Sequence, residues 1–169
     1  MWAALALGAA VAVGCGSVGG DAPRTATAEA FRSYEYVAID GRRISSDANR
    51  GRVTVIVLIA TFDLVSQVVV EELSQIFQRQ RPPINAGAIV LEPPRNAPLV
   101  EAFARTLEVP FPVALADPPT LEARGPFGEA KVVPTTIVLS PDGVETWRRE
   151  GSVSISDIER STARARRGR

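Results

Sequence analysis

The chain has 169 residues, 46% of them apolar, which suits one folded domain plus a leader. Its 19 Lys and Arg balance 19 Asp and Glu, and a formal charge of zero argues against a dedicated nucleic-acid-binding protein. Histidine is absent and Cys15 is the only cysteine. The usual general base and the commonest metal ligand are therefore missing, and everything beyond Cys15 lacks a thiol for disulfides, nucleophilic attack or metal binding.

Met1 to Val13 is apolar and small, the length of a signal-peptide core and too short to span a bilayer as a helix. It runs into Ala12-Val13-Gly14-Cys15-Gly16-Ser17. That string resembles a bacterial lipobox, in which the cysteine is lipidated and becomes the amino terminus, so residues 1–15 read as a signal peptide with its lipidation site at Cys15. The alternative is an ordinary secretory signal whose cysteine is incidental. No Lys or Arg precedes the apolar run, which departs from the usual signal pattern. Residues 16–32 are small, polar and aperiodic, as a tether would be. Residues 33–169 then form the domain.

Within the domain, Tyr34 to Ile44 reads as a hairpin around Asp40-Gly41. A polar connection, Ser45 to Arg52, leads into Val53–Ala60, an apolar, β-branched run expected to be a strand buried on both faces. After a polar break at Thr61 and Asp63, the residues Leu64, Val65, Val68, Val69, Leu73, Ile76 and Phe77 predict the apolar face of a helix that stops before Pro82-Pro83. Ala86–Leu91 is a second buried strand. Asn96 and Pro98 mark the start of a helix running to Leu107 that would bury Leu99, Val100, Phe103 and Leu107. Pro110–Leu115 is extended, Leu121–Arg124 is a helical turn, and Thr135–Leu139 is a third apolar strand. A turn at Pro141-Asp142-Gly143 opens the strand Val144–Arg148. Ser154 starts a last helix carrying Ile155 and Ile158, with Asp157 placed as its capping partner. This order predicts an α/β fold, a central mixed β-sheet flanked by helices on both faces, with an N-terminal β-hairpin. In open α/β sheets the ligand site lies at the carboxyl edge of the strands, which here means Phe62 to Ser66.

Several local strings keep the order and spacing of a known family. They are Asp40-Gly41, Gly51-Arg52-Val53, Ile59-Ala60-Thr61-Phe62-Asp63-Leu64-Val65-Ser66, Val109-Pro110-Phe111-Pro112-Val113, Ala116-Asp117-Pro118, Val133-Pro134-Thr135-Thr136, Ser140-Pro141-Asp142-Gly143 and Gly151. Residues 34–160 thereby resemble the thioredoxin-like fold, in particular the membrane-anchored or periplasmic disulfide reductases of the TlpA type and the wider redoxin group. The resemblance implies thiol–disulfide exchange at a Cys-x-x-Cys motif, yet places Asp63 and Ser66 at the two cysteine positions. A peroxiredoxin alignment puts Leu64 at its reactive cysteine. Neither a carboxylate nor a hydroxyl forms a mixed disulfide, so the parent activity should be absent.

Asp63 has two readings, a helix cap accepting from the N–H groups near Val65 and Ser66, or an acid–base group or ligand at the old active site. Ser66 lacks a histidine to activate it, and a lysine scheme would depend on Lys131, the one lysine. The resemblance implies a cis bond at Pro134, with the backbone of Val133 exposed for strand-like pairing with an extended polypeptide and Phe62 beside it; the plain alternative is a proline that shapes a turn. The basic tail Arg160, Arg164, Arg166, Arg167 and Arg169 reads as a solvated helix end that could touch anionic headgroups. These readings converge on a bacterial cell-envelope module, anchored to a membrane through its N-terminal lipid and facing the periplasm or the outside. It would hold an extended polypeptide or envelope protein, with no cofactor, no metal and no nucleic acid. The alternatives are an oxidoreductase role with thiols supplied by a partner, and a structural lipoprotein with a vestigial groove.

Overall fold

The computed structural model describes residues 33–168; the leader with Cys15, the tether and Arg169 lie outside the described residues. Two short strands, β1 (Glu35–Val37) and β2 (Arg43–Ser45), pair antiparallel with Tyr36 opposite Ile44. Their turn places Gly41 at φ +81°, which a residue without a Cβ adopts freely. The polar connection that follows holds a one-turn helix, α1 (Ser46–Asn49), because the Ser45 hydroxyl accepts from the Ala48 N–H at 3.1 Å.

Next come β3 (Thr54–Ile59), α2 (Leu64–Arg79), β4 (Asn85–Val90), α3 (Ala97–Thr106) and β5 (Val113–Leu115). The three strands are parallel, and both crossovers step the same way across the sheet. Right-handed connections therefore put α2 and α3 on one face. A one-turn α4 (Pro118–Leu121) precedes β6 (Thr135–Leu139) and β7 (Glu145–Glu150), which extend the sheet antiparallel on the other side of β3 in the order β5-β4-β3-β6-β7. Finally α5 (Ile155–Arg167) packs beside α2; its first turn is a capping box between Ser154 and Asp157.

β3 reads as an unbroken apolar run because both its faces are covered. Val55, Val57 and Ile59 pack against Val69, Leu73 and Ile76 of α2, Val100 and Phe103 of α3, and Ile158 of α5. Ile56 and Leu58 point the other way, into a layer with Tyr34, Tyr36, Ile44, Phe127 and Ile137. The short helices belong to that second face, where the Tyr36 hydroxyl meets Thr120 of α4 at 2.7 Å and Asn49 of α1 donates to the Tyr34 hydroxyl at 3.0 Å.

Three sequence expectations need correction. Leu64, Val65 and Val68 are exposed, and the buried face of α2 is Ser66, Val69, Val70, Leu73 and Ile76. The cap at Asp63 sets the phase of the helix and turns Ser66, a polar residue, inward. Leu99 is likewise exposed, while Val100 and Phe103 are buried as expected. The turn predicted over 121–124 lies over 118–121 instead, because the Asp117 side chain accepts from the Thr120 N–H and Pro118 takes the first position.

The hairpin docks on the sheet where Ile44 covers Gly87 of β4. A Cβ built on Gly87 would lie 2.9 Å from Ile44 Cγ2. Gly87→Ala should therefore cost about 1–3 kcal/mol through overpacking, and Ile44→Ala about 2–5 kcal/mol through its cavity. Because each change relieves the other, urea denaturation of the double variant should show a loss smaller than the sum. Simple additivity would mean that the hairpin does not press on β4 there.

Candidate functional site

The site forms where three strand ends meet. β3 ends at Ile59 and hands the chain through Ala60, Thr61 and Phe62 to Asp63, the cap of α2. β4 ends beside it, with the Leu91 N–H donating to Ile59 C=O at 2.8 Å. β6 runs antiparallel to β3 with Thr135 opposite Leu58, so Val133 and Pro134 lie one step beyond, alongside the launch point of α2. The Val133–Pro134 bond is cis, and Pro134 C=O accepts from the Gly151 N–H at 2.7 Å. Among the described residues, the N–H and C=O of Val133 have no hydrogen-bond partner.

Asp63 is the helix cap. One carboxylate oxygen, Oδ2, accepts from both the Ser66 N–H and the Ser66 hydroxyl at 2.7 Å each. The Ser66 hydroxyl holds the carboxyl below its ordinary range, and the backbone N–H groups of Ser66 and Val65 add to this. A carboxylate pulled down in this way is a weaker base toward the Ser66 hydroxyl than an ordinary one. Ser66 is also fully buried, and its Oγ accepts from the Ala60 N–H at 3.3 Å. Its bonds stitch the end of β3 to the first turn of α2.

Glu92 is the residue that sequence reasoning missed. It follows β4 and is only 2% exposed, yet it is a carboxylate. Oε1 accepts from the Thr61 N–H and the Thr61 hydroxyl at 2.6 Å each, and Oε2 accepts from the Asn96 amide at 2.7 Å. Asn96, read from the sequence as a side-chain cap for α3, spends its amide on Glu92 and makes no capping bond. Burial pushes the Glu92 carboxyl up, but the bonds from Thr61 and Asn96 outweigh it and leave the group below its ordinary range. The available signal was an acidic residue at the carboxyl end of a buried strand, just before Pro93-Pro94.

Several apolar side chains near this frame are exposed, whereas Pro134 is buried. Phe62 is 79% exposed and Leu64 72%, followed by Val65 and Val68 along α2 and Val132 beside Val133. Lys131 is exposed and makes no hydrogen bond to Ser66. Among the described residues no cluster of carboxylates is placed to hold a metal ion.

Because the folded state lowers the pKa of Glu92, its contribution is complete above the ordinary glutamate range and is lost as pH falls through the lower folded value. Glu92→Gln should cost about 1–3 kcal/mol at neutral pH, and the gap from the parent should narrow in acid. Urea denaturation at pH 7 and near the acid limit of folding checks this; a gap independent of pH would show that the charge on Glu92 does not hold the Thr61 loop.

No protein-family model matches the chain, and no curated protein is significantly similar to it. Solved structures do match. A thioredoxin-family thiol:disulfide interchange protein from Chlorobium tepidum superposes with a TM-score of 0.63 at 21% identity, covering 79% of this chain and 92% of that one. A secreted disulfide oxidoreductase of Mycobacterium tuberculosis gives 0.62 at 14% identity, covering 78% and 95%. The exposed lipoprotein thioredoxin of Streptococcus pneumoniae gives 0.65 at 14% identity, covering 79% and 99%. The chain has the thioredoxin-like fold, shared with thioredoxin-family disulfide oxidoreductases, and carries no Cys-x-x-Cys motif.

Proposed function

We propose that this chain is a lipid-anchored, cell-envelope thioredoxin-like domain that does not exchange disulfides. Instead it holds an extended polypeptide between Phe62–Ser66 and Val133–Pro134. The observation that carries this reading is the pairing of a sulfur-free helix cap with an intact apolar surround. Asp63 and Ser66 are bonded to each other as structural parts, whereas Phe62 and Leu64 remain exposed beside them. Strand-like pairing with a bound segment needs only backbone groups such as those of Val133, and apolar side chains such as Phe62 supply the contact area. Thiolate attack, in contrast, needs sulfur. The envelope location is supported by the lipobox-like string ending at Cys15. It is also supported by two structural neighbours, one described as secreted and one as an exposed lipoprotein.

Two assays on the purified chain test this. Insulin reduction with dithiothreitol should proceed no faster than without the protein. A thiol-free unfolded polypeptide, reduced and carboxymethylated lactalbumin, should bind, and Phe62→Asp should weaken that binding at least about tenfold, as expected for loss of an aromatic anchor. Insulin turnover, or equal binding by the parent and the variant, would contradict the proposal.

A further inference from the structure

The two long helices that start at the site end carry their C-termini to the opposite end of the sheet, and both C-termini are basic. α2 finishes at Arg79, with Arg81 just beyond; α5 finishes with Arg164, Arg166 and Arg167. The fold brings these together: the Gln80 amide donates to the Thr162 hydroxyl at 2.9 Å, and Arg166 donates to Pro82 C=O at 2.7 Å. Arg79 is paired with Glu159 at 3.9 Å, and Arg81 donates to the last carbonyls of α2. Among the described residues, none of Arg81, Arg164, Arg166 and Arg167 lies within ion-pair distance of a carboxylate. Balancing two helix dipoles accounts for some of this charge, but it leaves four arginines at one end without a carboxylate partner among the described residues.

The described chain begins at that same end. The Tyr34 hydroxyl accepts from Asn49, and Asn49 C=O accepts from the Asn85 side chain at the start of β4, just after the Pro82-Pro83 turn that Arg166 touches. The first described residues and the C-termini of α2 and α5 thus lie toward the same end of the sheet, on its two faces. α2 is 16 residues long, about 24 Å at helical rise, and that length separates this end from Phe62.

We propose that the arginine cluster at the C-termini of α2 and α5 docks on the headgroups of an anionic phospholipid surface, and so turns the Phe62–Pro134 groove away from the membrane. The inference rests on the envelope reading above, but not on what the groove binds. Each arginine near such a surface contributes through charge attraction within a Debye length, so the contact weakens with salt.

The test uses the full chain carrying Cys15→Ser, which cannot be acylated, mixed with vesicles of phosphatidylcholine alone or with one part in about three of phosphatidylglycerol. Sedimentation should show a salt-sensitive excess of binding to the anionic vesicles. The combined replacement Arg81→Glu, Arg164→Glu and Arg167→Glu should lower that excess at least about tenfold, while the corresponding lysine replacements retain it. Hydrogen exchange on the vesicles should protect residues 79–85 and 160–168 and leave 61–66 unchanged. Equal binding to both vesicle types, protection at 61–66, or binding to a DNA duplex but not to vesicles would overturn the proposal. Lactalbumin binding is measured without vesicles, so failure of one reading does not imply failure of the other.

Discussion

The structure depends on burying β3 on both faces. Its odd-numbered side chains pack under α2, α3 and α5, and its even-numbered ones pack under the hairpin layer. A strand covered in this way cannot slip by one residue, because its two faces have different partners. That register fixes where the chain leaves the sheet at Ala60, and hence where α2 starts. The position of Pro134 follows from the same pairing, since Thr135 is held opposite Leu58. The burial of β3 thus sets where the elements around the candidate site meet.

Two carboxylates then divide the work at the corner. Asp63 ties the first turn of α2 to itself through Ser66, and Ser66 ties back to Ala60. Glu92 reaches from β4 and fixes Thr61 through both its N–H and its hydroxyl. A buried carboxylate is tolerable only when its lone pairs are satisfied, and Thr61 and Asn96 do that for Glu92. The loop between β3 and α2 is thus bonded at both ends, with Phe62 exposed between them.

Much of this was legible in the sequence. The β3 run, the Asp-Gly hairpin, the stop before Pro82-Pro83, the strand at Thr135 and the capping box at Ser154 each have a local cause that the sequence shows directly. The first turn of α2 was less legible: Val69, Leu73 and Ile76 are buried as the spacing predicts, but Leu64, Val65 and Val68 face outward while Ser66, bonded to Asp63 and Ala60, faces in. Glu92 stayed hidden because its partners, Thr61 and Asn96, meet it only through the tertiary fold. Leu64 and Leu99 are exposed although apolar, because hydrophobicity alone does not fix which apolar residues of a helix face the core.

On the proposed reading, Asp63 and Ser66 stand where a thioredoxin-like protein carries its two cysteines. The direct test returns the sulfur, by Asp63→Cys with Ser66→Cys in a chain that also carries Cys15→Ser. An intramolecular disulfide, reducible by dithiothreitol, should form across the first turn of α2. The thiol at position 63, at a helix N-terminus, should titrate below the ordinary cysteine range of about 8.5. Two thiols that stay free under oxidant, with the fold intact, would contradict the account.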